Sequence, residues 1–439
     1  MINERLEAYT VIKKVLRNNE FSDNLLNSSV KKIRKQNGDS NLFYTLVKGV
    51  IKMKGNLEYI LSTLTDSDKF AQTDLKIKVW LYIGLFQIIH LDSIPEYAAV
   101  NETVELAKKS LSPKTAAFIN AVLRNYLRNK DIKYPEDAVG RIAAEQSYPK
   151  EIIEQWIEIY GEEDAEYLAL HFNDIPRLHL RVNKTATTSA KIQAYFKNKH
   201  ELDFRTSDLS DSMLVTDSAT TVIQDVTFDE GYYSIQDTAA AGIVELLDPK
   251  PGESILDMFA APGGKATFIC EKLNNTGEVI AIDKKPSKVK MIKQAAERLQ
   301  LSNIIPVVTD ALKYGPKAPA YDRVLLDVPC SGWGVFGRKA ELRWQVHQNL
   351  NEILKLQAKA LDYCSGFVKK GGYLVYSTCT LNPRENQDQI KRFLESHKQF
   401  KLIPASDFVP KKYTSEEFYL TKPHIHNIDG AFAAKMQKM

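Results

Sequence analysis

The sequence predicts an α/β fold, a mostly parallel doubly wound sheet, preceded by an all-helical bundle. Three observations carry this. From about Gly231 onward, short apolar runs alternate with helical patterns. Up to about residue 135, apolar residues recur at helical spacing. A chain of 439 residues also exceeds one usual hydrophobic core, so two or three domains are expected. The expected division is 1–135 for the helical bundle, 136–230 for a linker and small α/β extension, and 231–439 for the doubly wound domain.

In the first domain Phe43, Leu46, Val47, Val50 and Ile51 mark one helix face. Phe118, Val122 and Tyr126, with Ile119 and Leu123, mark another. The stretch from Ile77 to Leu91 is apolar nearly all round, as suits a central helix. Pro95 stands where a helix can start, and Val100, Val104 and Ala107 then share a face. The charged stretch from Asp131 to Ser147 reads as a linker, Glu151 to Tyr160 as helix and Leu178 to Val182 as strand. Strands are expected at Ile255–Met258, Val279–Ile282, Val307–Val308, Val324–Leu326 and Tyr373–Tyr376, with helices at Lys285–Leu299 and Asn349–Phe367.

The formal charge is +4, with roughly +5 in the first 140 residues and the remainder near neutral. A basic front half, including Lys108, Lys109, Lys114, Arg124 and Arg128, suits a nucleic-acid partner, although solvated helix faces account for the charge equally well. Cys270, Cys330, Cys364 and Cys379 show no close CxxC pair, so no metal site is expected. Scattered cysteines fit a reducing cytoplasm. The N-terminal stretch lacks an apolar signal core, and Val79–Ile89 is too short to span a bilayer, so a cytoplasmic protein with no membrane partner is expected. No heptad or large apolar segment demands a dimer, and a monomer is expected.

Ligands of a doubly wound sheet bind at the carboxyl ends of its strands. The first strand leads into Phe259-Ala260-Ala261-Pro262-Gly263-Gly264-Lys265, whose small residues let the backbone turn sharply beside a ligand. This is not GxGxxG, which weakens the case for a dinucleotide. Asp283 ends the second strand, where it suits ribose hydroxyls, and Asp310 follows the third, where it suits an adenine amino group. Together the three favour a nucleoside cofactor without phosphates. The fourth strand ends in Asp327-Val328-Pro329-Cys330-Ser331-Gly332 and the fifth in Tyr376-Ser377-Thr378-Cys379-Thr380-Leu381-Asn382-Pro383, followed by Glu385 and Asn386. Two strand-end cysteines facing one cleft suit the methylation of a carbon such as C5 of cytosine. That carbon is a poor nucleophile until a thiolate adds to C6. The reaction needs the thiolate, an acid near N3 and a route to elimination, roles open to Cys379, Asp327 and Cys330.

FAAPGGK, DVPCSG and YSTCTLNPREN resemble the motifs of the RNA cytosine-C5 methyltransferase family. The likeness includes Arg181-Val182-Asn183, Gln236-Asp237 and Asp429-Gly430, and so runs from roughly Pro176 to the C-terminus. It implies a Rossmann-like class I methyltransferase fold with Cys379 as nucleophile and Cys330 aiding release. The segment Phe259–Lys265 with Asp283, Asp310 and Asp327 would hold S-adenosylmethionine. FYTLVKGVI, NETVELAK and FINAVLRNYLR resemble a NusB-type helical domain. That fusion is the arrangement of the Sun/Fmu (RsmB-like) ribosomal RNA methyltransferases, which implies a cytosine of small-subunit (16S) rRNA as substrate. Phe259, Trp333 and Ala431 depart from the family's common Cys, small residue and Phe, and none removes a catalytic group. Arg181, Arg338, Lys339, Arg343 and Trp344 are the candidate RNA contacts. An amino-methylating enzyme on the same fold needs a D/N-P-P-Y/F motif rather than DVPC. A lapsed enzyme kept for RNA binding would have lost a catalytic residue. A DNA enzyme would carry its nucleophile on the fourth strand.

Overall fold

The helix Leu75–His90 is buried at every position from Val79 to Gln87, as its all-round apolar pattern requires. The computed structural model describes residues 3–217, 220–223, 225–315, 321–345 and 350–439. The chain divides into two units: Met1–Asp174 with Phe336–Val346, and Ile175–Val335 with His347–Met439.

In the first unit Glu4–Asn18, Ser40–Leu64, Glu96–Ser110 and Pro113–Arg128 pack with Leu75–His90 around one apolar core. Pro95 caps the helix it was expected to start. Ile119, Val122, Leu123 and Tyr126 are buried, whereas Phe118 is 41 % exposed and lies off the core face. The stretch expected as a linker holds a helix, Ala138–Gln146, capped by Asp137. Its apolar face buries Ile142 and Ala143, and its charges are paired outside, with Arg141 Nη1 2.6 Å from Glu166. The helices Lys150–Tyr160 and Glu162–His171 complete this unit, so it extends well past residue 135.

The later segment Phe336–Val346 belongs to the same unit. The Phe336 ring packs among Tyr148, Trp156 and Phe172, with centroids 5.8–6.3 Å apart. Glu341 Oε1 accepts from the backbone N–H of Ser22 at 2.7 Å and its hydroxyl at 2.9 Å, capping the helix Ser22–Arg34.

The second unit has two sheets. The smaller is antiparallel, built from β1 (Leu178–Val182), β2 (Arg205–Thr206), β3 (Met213–Thr216) and β4 (Tyr233–Ile235) in the order β2-β3-β1-β4. The larger contains β5 (Ser254–Met258), β6 (Glu278–Asp283), β7 (Ile304–Val308), β8 (Tyr321–Asp327) and β9 (Val368–Thr378), parallel in the order β7-β6-β5-β8-β9. These correspond to the five expected strands. Four antiparallel strands follow: β10 (Phe400–Ile403), β11 (Thr414–Ser415), β12 (Phe418–Thr421) and β13 (Ala431–Lys438), with β13 joined to β9. The sequence reading did not place these four. The expected helices are observed at Pro286–Arg298 and Leu350–Ser365, and Asn349 lies outside the described residues. The strand order reverses between β5 and β8, which puts the ligand crevice at their carboxyl ends.

Candidate active site

β5 ends at Met258, and the chain turns through Phe259 (φ 61°) and Gly263 (φ 105°) into the helix Gly264–Lys272. A Cβ on Gly263 would also lie 3.2 Å from the Cα of Ile292, so only glycine fits this turn without strain. The Ala260 N–H donates to the Ile282 carbonyl at 2.8 Å, tying the turn to β6. Asp283 ends β6 and accepts from the Lys285 N–H at 2.9 Å through one oxygen. Asp310, after β7, accepts from the Leu312 N–H at 3.1 Å through one oxygen, and Lys284 lies 3.7 Å from the other. Each carboxylate therefore caps a local turn with one oxygen and keeps acceptor capacity for a ligand.

Lys265 Nζ lies 2.7 Å from Asp327 Oδ2, at the end of β8. The Ser377 hydroxyl, on β9, donates to Asp327 Oδ1 at 2.9 Å. Burial alone would lower the Lys265 pKa, but the charge and hydrogen bond of Asp327, then the charges of Cys379 and Asp257, raise it above the ordinary lysine value. Lys265 is thus a partly buried cation that interacts with both Asp327 and Cys379. Asp257, on β5, is not among the residues expected at the site. It is 1 % exposed, both its carboxyl oxygens lack a hydrogen-bond partner among the described residues, and burial, then Asp327, raises its pKa well above the carboxylate range.

Cys330 and Cys379 meet as expected, with Sγ atoms 3.3 Å apart. The hydrogen bond to Cys379, burial, and the charges of Cys379 and Glu385 hold the Cys330 thiol well above its ordinary value. Trp333 is fully buried, so it packs inside the protein rather than standing open to solvent at the cleft. Beside it, Gly334 is required: a Cβ there would meet the Gly430 carbonyl oxygen at 2.1 Å. Ala431 is buried on β13.

The candidate RNA contacts fare differently. Arg181 has no exposure, since its guanidinium bonds Glu271 at 2.7 and 3.1 Å, Thr267 Oγ1 at 2.9 Å and the Gly264 carbonyl at 2.5 Å, besides Gln236. It braces the helix that follows the cofactor turn and is not available to RNA. Arg343 is fully buried in the helical unit, bonded to Asn173 Oδ1 at 2.8 Å and the Phe172 carbonyl at 3.1 Å, with its guanidinium 4.0 Å from the Tyr148 ring centroid. The indole of Trp344 donates to the Ile51 carbonyl at 2.9 Å, with Lys54 Nζ over its ring. Arg338 is half-buried, and Lys339 is exposed.

A doubly wound sheet with a glycine turn, strand-end carboxylates and a sheet order reversing beside them forms a nucleoside-binding crevice, and the family it matches makes this an S-adenosylmethionine-dependent methyltransferase of the Rossmann-like class. The family model described as "16S rRNA methyltransferase RsmB/F" matches residues 244–437, and that of the NusB family matches residues 2–128. The probable ribosomal RNA small subunit methyltransferase B of Synechocystis is 32 % identical, with 100 % of each chain covered. The Bacillus subtilis protein of the same description is also 32 % identical, over 98 % of each chain. The crystal structure of PH0851 superposes with a TM-score of 0.84 at 22 % identity, covering 100 % of this chain and 99 % of that one. The chain belongs to the RsmB/F family of 16S rRNA methyltransferases.

Proposed function

We propose that this enzyme methylates C5 of a cytosine in small-subunit rRNA, with Cys379 adding to C6. The observation that carries the reading is the pair of thiols 3.3 Å apart at the ends of two neighbouring parallel strands, beside the Lys265–Asp327 ion pair. The backbone of Phe259–Lys265 with Asp283, Asp310 and Asp327 would hold S-adenosylmethionine, which when bound supplies an electrophilic methyl group. These groups fit a nucleoside ligand, since the turn can approach it closely and the carboxylates suit its hydroxyls and amino group.

The hydrogen bond to Cys379 and burial hold the proton on Cys330, which suits Cys379 to the attack. The Lys265 cation stabilises the Cys379 thiolate. Asp327, fixed by Lys265 and Ser377, is positioned as the proton carrier for N3 of the ring. Once C5 carries its methyl, the C5 proton is lost to solvent, its bonding pair re-forms the C5–C6 double bond and expels Cys379 as thiolate, and N3 returns its proton through Asp327. Cys330 stands beside Cys379 for that step. The target base must be unpaired or flipped, since none of these groups reaches a stacked ring. Among the five candidate contacts Lys339 is the exposed one, and it is the one we retain for phosphate contact.

The test is transfer of labelled methyl from S-adenosylmethionine to unmodified small-subunit rRNA, with bisulfite sequencing of the product. One protected cytosine is expected, and Cys379→Ala should abolish both it and the covalent adduct with 5-fluorocytosine RNA. An adduct persisting in Cys379→Ala overturns the nucleophile assignment. Cys330→Ala should accumulate a slowly resolving protein–RNA species, and normal turnover would refute its part in release.

A further inference from the structure

Glu385 has no exposure, and it sits in the turn Pro383–Glu385 just beyond β9. Its carboxylate accepts four hydrogen bonds from uncharged donors. The Ser331 N–H reaches Oε2 at 2.8 Å and the Ser331 hydroxyl reaches Oε1 at 2.5 Å. The Thr380 hydroxyl reaches Oε1 at 3.4 Å and the Gln357 amide reaches Oε2 at 3.1 Å. Ser331 directly follows Cys330 and Thr380 directly follows Cys379, so one carboxylate joins the two loops that carry the thiols. Gln357, on Leu350–Ser365, also donates to the Pro329 carbonyl at 3.0 Å and so anchors the near side of Cys330. The next residue completes the bracket: Asn386 accepts from Thr378 Oγ1 at 2.7 Å and donates to the Thr380 carbonyl at 2.9 Å, one on each side of Cys379.

Burying a carboxylate is costly unless its lone pairs are fully used, as they are here. An apolar residue could fill the same volume but could not tie one loop to the other. We propose that Glu385 is a positioning residue that sets the separation of Cys330 and Cys379. It fixes the two sulfurs close enough for one to act as soon as the other has reacted. The proposal rests on these two thiols being the reacting pair. It goes further in naming a buried carboxylate that touches neither substrate nor cofactor as the group that spaces them.

The experiment compares Glu385→Gln and Ser331→Ala with the unaltered full-length protein in three measurements. Thermal midpoint and S-adenosylmethionine affinity report folding and the cofactor site; a cooperative melt should be kept, and the affinity should stay within about twofold of the parent. Capture by phenylarsine oxide, which bridges two closely spaced thiols, reports the sulfur separation without any RNA. It should weaken by roughly tenfold or more as the pair loses its spacing. Single-turnover methyl transfer should fall about 100-fold with little change in the RNA concentration for half-saturation. Undiminished thiol capture in both variants overturns the proposal, and so does lost turnover with capture intact. If Glu385→Gln fails to fold, Ser331→Ala alone decides, because it removes the hydroxyl that contacts both Glu385 Oε1 and Thr380 Oγ1 and leaves the carboxylate in place. An adduct formed by Cys379→Ala would refute the nucleophile assignment without altering the capture result, so the two failures are distinguishable.

Discussion

Lys265 works between Asp327, Cys379 and Asp257, and all three raise its hold on its proton against the pull of burial. The same coupling runs in reverse: its cation favours the thiolate of Cys379. Lys265→Met should therefore slow iodoacetamide alkylation of Cys379 by about tenfold at neutral pH and move its pH dependence upward. An unchanged alkylation profile would exclude Lys265 as the activating charge. At this scale the sequence was legible where the candidate site lies in contiguous residues. Phe259–Lys265, Asp327, Cys330 and Cys379 could each be named from local motifs, and the two thiols meet as expected. The role of Glu385 was not legible, because its carboxylate bonds Ser331, 54 residues away, and nothing local marks that pairing. Asp257 escaped for a similar reason, since an aspartate near a strand end usually caps a turn and here it caps nothing.

Among the elements, the segment Phe336–Val346 departs most from expectation. Two arginines, a lysine and a tryptophan just after the DVPCSG motif look like an RNA-contacting loop, because exposed cation–aromatic runs usually are. Instead Arg343 and Trp344 are spent on backbone carbonyls of the helical unit, and Phe336 fills its aromatic cluster. No local pattern separates a buried guanidinium from an exposed one; the difference lies in the carbonyls that await it near Ser147 and Phe172. Arg343→Ala would leave those carbonyls unpaired in a cavity and should cost about 3 kcal/mol in urea unfolding of the helical unit. A loss below about 0.5 kcal/mol would mean that the site is solvated after all. The helix Ala138–Gln146 gives the complementary lesson. Its mixed charges suggested a linker, but Arg141 and Glu166 satisfy one another outside while Ile142 is buried inside.

Over the whole molecule, the alternation of apolar runs with helical patterns was enough to recover the five parallel strands. The antiparallel strands β10–β13 were missed because two of them, Phe400–Ile403 and Phe418–Thr421, are only four residues long, too short for a period to emerge. Their partner β13 carries Lys435, which is 1 % exposed and lies 3.4 Å from the Phe408 ring centroid. Burial, then the charge of Arg323, pulls its pKa down to about 7. Between about pH 7 and the ordinary lysine value the unfolded chain holds this proton and the folded protein does not. Folding stability should therefore rise with pH across that window, with the full penalty present below it. Lys435→Met should flatten the rise and stabilise the protein by about 1–2 kcal/mol at pH 6, measured by urea denaturation across the pH range. An unaltered pH dependence would show that Lys435 remains charged in the folded state. The two-part make-up of the helical unit has a further consequence, one of timing. On the ribosome, Met1–Asp174 emerges without Phe336–Val346, the segment that fills its aromatic cluster and caps Ser22–Arg34. At ordinary elongation rates residues 175–335 take roughly ten to thirty seconds to follow. For that interval the helical half stands open and must avoid wrong partners, and it closes only after the DVPCSG loop has been made.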